Sequence, residues 1–187
     1  TTGAALGAVT LLDDVTIDTS TGTGAAIQAT TITATSAGND DLTLKAGTAA
    51  ASDITISGNV GATRLGALTI TSGDVVAFQG TGTQQAASLA GTASTSTTFT
   101  GPVNLTGAAS AAAGGGAISF LDGLTAGASS SFLNTGSLQL GDVAADSSSV
   151  TGTLTHTAGA TSLAGTITAT TGAALGAVTL LDDVTID

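Results

Sequence analysis

Along this chain, apolar residues alternate with Thr, Ser or another small polar residue in short bursts. Such runs are AVTLL (8–12), DVTID (14–18), TITAT (31–35), DLTLKA (41–46), DITISG (53–58), ALTITSG (67–73), VVAFQG (75–80), STTFTG (96–101), AISFLDG (117–123), SLQLGDV (137–143), GTLTHTAG (152–159) and GTITAT (165–170). Successive side chains of a strand point to opposite faces, so a period of two marks a strand with one buried side. Thr, Val and Ile suit strands locally. Gly, Asn, Asp and Ser stand between the runs, where turns need them. The Ala-rich stretches AASLAG (86–91) and GAASAAAGGG (107–116) lack capping or heptad patterns, and the second reads as a turn or a loop bulging outward.

The bursts repeat on two scales. Residues 1–18, TTGAALGAVTLLDDVTID, recur without a substitution at 170–187. Identity at every position, surface positions included, points to a recent duplication or to a designed repeat. The chain therefore reads as one tandem unit, 1–169, followed by the opening of an identical unit, 170–187. Within the unit, Val9, Ile32, Ile54, Val76, Phe99, Ile118 and Leu138 fall about 20–23 residues apart, and Val178 follows two intervals later, as the strands of stacked coils would. The expected fold is all-β: a parallel β-helix, or β-solenoid, of about 8–9 coils of roughly 21 residues. A β-sandwich is the competing arrangement, since it too uses short alternating strands.

Composition favours the solenoid. Aromatic residues are 2% of the chain, all of them Phe, so a thick globular core cannot be filled to native density. A coil interior is thin, and Val, Ile, Leu and Ala fill it. Disorder usually accompanies low hydrophobicity and high charge. Here the mean hydropathy is +0.47 and charged residues are 8%.

The formal net charge is −11, and every acidic residue is Asp. Asp suits turns, whereas Glu is a helix former. Lys45 and Arg64 are the only cations besides His156. Two cations cannot neutralise a phosphate backbone or an anionic membrane surface, so nucleic acid and membrane headgroups are poor partners. No stretch of 18 apolar residues is present to insert as a membrane helix.

Three regions suggest chemistry. The pairs Asp13–Asp14, Asp40–Asp41 and Asp182–Asp183 are candidate weak calcium ligands, and equally candidate turn caps. Neither an EF-hand loop nor the calcium-binding nonapeptide repeat occurs. Thr-x-Thr pairs at Thr31–Thr33, Thr69–Thr71, Thr153–Thr155 and Thr166–Thr168 would suit an ice-binding face if stacked on consecutive coils. A carbohydrate-active β-helix enzyme would need carboxylates gathered beside Arg64. His156, in LTHTAG, is expected as an exposed strand residue, and Ser residues around one His offer no evident triad. No catalytic residue or organic cofactor is expected.

The phrases GNDDLTLKAGT (38–48), LGALTITSGDVVAFQG (65–80) and LGAVTLLDDVTIDTSTGTGA (6–25) resemble very large repetitive bacterial surface proteins, the filamentous-haemagglutinin-like or β-strand-repeat family. The resemblance implies a right-handed parallel β-helix and export to the cell surface. It also implies a role in adhesion, aggregation or a surface fibre. Its partners would be other copies or adjacent repeats of itself, stacked end to end, and cell-surface glycans.

Overall fold

The computed structural model describes residues 3–91 and 95–187. All its paired strands are parallel, no helix occurs among the described residues, and the chain winds as a β-solenoid of about nine turns. Each turn visits three faces in the same order. The first face stacks Ala4–Ala5, Ile27–Ala29, Ile54–Ile56, Val75–Phe78, Ser96–Phe99, Ala117–Phe120 and Leu138–Leu140. It ends with Thr161–Leu163 and Val178–Leu180, which open the longer strands Thr161–Ala169 and Val178–Ile186. The second face runs from Ala8–Leu11 and Thr31–Ala34, through Val103–Leu105, Leu124–Ala126 and Ser147–Val150, to Thr166–Ala169 and Val184–Ile186. The third runs from Val15–Asp18 and Leu42–Lys45 to Ser130–Phe132, Thr153–His156 and Gly172–Leu175.

All twelve alternating runs contain a strand. Others were hidden. Ala109–Ala111 is a strand with both alanines buried, so the stretch 107–116 is built into the coil, with left-handed backbone at Gly114 and Gly115. Ser147–Val150 and Ser130–Phe132 are largely polar, and several others span only three residues. Such segments are too short or too polar to show a period of two.

The coil register differs from the spacing argument at its start. Val9 and Ile32 lie on the second face, paired with each other, whereas Ile54, Val76, Ile118, Leu138 and Val178 lie on the first. The residue beneath Ile54 is Ile27. Turns vary in length, from Ile27 to Ile54 near one end to Thr161 to Val178 at the other. A constant interval therefore steps across faces where the coil is long.

The core is a thin column of Leu, Ile, Val and Ala with an aromatic spine. Phe78, Phe99 and Phe120 stack one per coil, with ring centroids 4.5 and 5.2 Å apart and planes within 5° of parallel. Phe132, on the third face, meets Phe120 edge-on at 5.9 Å. Parallel stacking in register superimposes like on like, so coils of similar sequence align their rings.

The two copies of the 18-residue segment occupy different faces. Val9 sits on the second face of the first coil, and its counterpart Val178 on the first face of the last. The unit is thus one face short of eight full turns. The first copy bends at Leu12 and Asp13 between two strands. In the second, the corresponding stretch Val178–Ile186 runs as one strand, with a bulge where Leu180 and Val184 pair with Leu163 and Gly165.

Candidate functional site

Each Asp pair lies where the chain passes from one face to the next, and five of the six, Asp183 excepted, accept backbone amides. Asp14 accepts the amide of Asp41 on the next coil at 3.0 Å, and Asp41 accepts that of Ala67 on the coil after at 2.6 Å. Asp53 repeats the arrangement with Val75. Asp182 accepts the Ala144 amide from two coils below at 3.1 Å. Asp13 and Asp182 also accept the amides of the residues that follow them. Asp40, 5% exposed, folds a loop onto itself by accepting from Thr35 N, Thr35 Oγ1 and Ser36 N. These bonds, the Ser36 amide foremost, hold its carboxyl below the ordinary Asp range. Of the six candidate ligands, Asp14, Asp41 and Asp182 link one coil to another, while Asp13 and Asp40 bond within their own turns. Among the described residues no three His, Cys, Asp or Glu side chains converge as a metal site would require.

This gives an expected result. Asp41→Ala strips the Ala67 amide of its charged acceptor and should cost about 1–3 kcal/mol in denaturant unfolding. Added calcium or chelator should leave the wild-type melting curve unchanged. A chelator-induced fall in melting temperature would restore the calcium reading.

Other electrostatic features also serve the stack. Asp18 binds Lys45 Nζ at 3.1 Å across two coils. Its carboxyl is lowered to about 2, by the Ser20 hydroxyl and amide first and Lys45 next. Because the folded value lies below the unfolded one, this contribution is present above the ordinary Asp range and is lost as pH falls through about 2. Asp142 is raised, chiefly by desolvation and then by the neighbouring charge of Asp146. Arg64 crosses three coils: Nη1 donates to Ala86 O and Asn104 O, and Nη2 to Gln85 Oε1. Its partners are neutral, and no carboxylate pair sits at its guanidinium among the described residues.

His156 is fully buried, against the sequence expectation of an exposed position. In Leu154–Thr155–His156 the alternation puts His156 on the same inward side as Leu154, a phase legible in the sequence. It lies in the column between Phe132 and Leu175, and Nδ1 shares a 2.8 Å hydrogen bond with buried Thr161 Oγ1. Nε2 has no partner. The side chain is sealed from solvent, so it cannot reach an external substrate.

Sequence reasoning also missed an inward-facing polar set. Gln84 accepts from Val60 N and donates to Gly80 O and Gly82 O. Ser130 and Ser148 accept from Ala109 N and Leu124 N. They satisfy amides at the corners, where the ladder is interrupted.

The Thr-x-Thr pairs are split between faces. Thr31–Thr33 and Thr166–Thr168 are on the second, and Thr69–Thr71 and Thr153–Thr155 on the third. Single Thr residues stack in register at Thr16, Thr43 and Thr69 on three consecutive coils of the third face, but among the described residues no Thr-x-Thr pair stands over another, since residues such as Ala8 and Ser149 lie opposite them. A shallow hollow of about 450 Å³ between the first two coils is lined by residues including Ala4, Thr23, Ala26 and Gln28, and among the described residues by no ionisable group.

The class that fold and surface define is an acidic parallel β-solenoid whose polar side chains bind its own coils. No family model, curated protein or solved structure matches the chain.

Proposed function

We propose that this chain is a structural or adhesive segment of a bacterial cell-surface fibre, built from tandem solenoid units outside the cell. One observation carries the reading. The same 18 residues occur twice, and residues covered in one copy are bare in the other. Leu11 is 1% exposed, and its counterpart Leu180 is 61% exposed. Val178 and Ile186 are also exposed at that end, at 45% and 59%. In the first copy a following coil covers this segment, so its apolar side is built to be stacked upon, as tandem coils require. The ordered polar groups support this use, since they tie coil to coil and gather around no cleft.

Electron micrographs of the concentrated protein should show thin rods growing in steps of about 40 Å, the rise of eight coils spaced as strands are. Isolated particles one unit long at every concentration would overturn the proposal.

A further inference from the structure

The strand Ala109–Ala111 runs into a corner made of small residues, and that corner encloses a hollow of about 10 Å³. Ala111, Gly114, Gly115 and Gly116 line it from one turn, Gly91 from the turn below and Asn134 from the turn above. Phe132 stands in register over Ala111 and fills its own turn. No alanine or glycine beneath it carries a side chain long enough to fill this one. A hollow of this size has room for one water-sized body.

Among the described residues, Asn134 is the only lining residue with a polar side chain. It is 2% exposed. Its Nδ2 donates to Gly116 O at 3.0 Å, Gly136 O at 3.1 Å and Ser137 O at 3.4 Å. Carbonyls only accept, so turning the amide round would set oxygen against oxygen. The amide is therefore fixed, and Oδ1 is the polar atom that Asn134 offers to the hollow. That oxygen is buried and has no partner in the protein. A buried acceptor left unmet is uncommon in a folded chain and costs stability. On the same lining, the amides of Gly115 and Gly116 donate to no group among the described residues.

We infer that the hollow beside Asn134 is a binding site for a single water molecule. Its chemistry selects that ligand. The site offers an acceptor, Asn134 Oδ1, and N–H donors from the glycine turn, so its occupant must both donate and accept. A calcium ion would need about six oxygens and would face amide hydrogens instead. An anion would face Oδ1. Anything larger than water does not fit. A wholly apolar hollow stays dry, whereas one with convergent polar groups holds water. The bound water joins the turn at Gly114–Gly116 to Asn134 on the next coil. Other corners make the equivalent link directly, through Gln84, Ser130 and Ser148. The glycine turn also gives the water a way in, since even a Cβ at Gly114 would meet nothing within 4 Å. The site is independent of the fibre reading, and its test needs no assembly.

A high-resolution crystal structure of the whole chain should show one density peak at about 2.7–3.2 Å from Asn134 Oδ1. The same peak should lie within hydrogen-bonding reach of the Gly115 or Gly116 amide. In solution, rotating-frame Overhauser spectra of the 15N-labelled protein should show a direct cross-peak between water and one of those amides. Ala111→Val puts methyl groups into the hollow, and both signals should be lost from it. An empty hollow in the wild type, or an Oδ1 that meets a protein donor, would overturn the site. So would a peak surrounded by five or six oxygens, which would make the occupant a cation. Water signals that persist unchanged in Ala111→Val would place the water elsewhere and also overturn it. If Ala111→Val does not fold, the two wild-type measurements decide the matter by themselves.

Discussion

Phe99→Ala should lower the unfolding free energy by about 3–5 kcal/mol, the usual cost of truncating a buried Phe. Phe99 is 1% exposed and lies between Phe78 and Phe120, so its removal opens a gap bounded by two rings. In a solenoid each coil contacts only its neighbours, so no distant element can close over that gap. The break falls in the middle of the stack. Urea unfolding of Phe99→Ala should therefore move to lower midpoint and broaden, as the two halves begin to melt separately. Phe99→Leu, which keeps most of the volume, should lose less and stay cooperative. A loss below about 1 kcal/mol for Phe99→Ala would mean that the ring spine contributes no more than an average surface contact.

The second large effect is expected at Gly165. This residue lies inside the strand Thr161–Ala169 with φ of 75°, where the chain turns from the first face to the second. A Cβ there would collide with the carbonyl oxygen of Asp146 on the coil below. Left-handed backbone costs a residue with a side chain about 1–2 kcal/mol, and here the clash is with backbone that cannot swing away. Gly165→Val should therefore cost more than about 3 kcal/mol and free the last coil. Limited proteolysis should cut between residues 160 and 187 at protease levels that leave the wild type intact. Gly7→Ala is the matched control, because a Cβ there meets nothing within 4 Å. A melting temperature for Gly165→Val equal to that of Gly7→Ala would show that the corner does not need glycine.

The strands were legible because alternation is a local signal. Val15–Asp18 and Leu42–Lys45 announce themselves by their own residues. What stacks on what is not local. It depends on loop lengths such as 46–53, which push Ile54 over Ile27 and away from Ile32. The ring spine was within reach, since Phe78, Phe99 and Phe120 are evenly spaced by one coil. Scarcity of aromatics concealed it: three rings in register make a core feature that a percentage does not reveal. The Asp pairs were found as residues but not as links. Asp14 and Asp41 are joined only because a long coil brings the Asp41 amide above Asp14, and sequence spacing holds no record of that height.

The unit that falls one face short of eight turns has a consequence for anything attached to its flank. In a tandem array each unit would present a given residue, Leu12 for example, one side further round the shaft. Three units would return it to the same side. Contacts to a surface or to neighbouring shafts would then follow a spiral, and no long edge of the array would be bare of them.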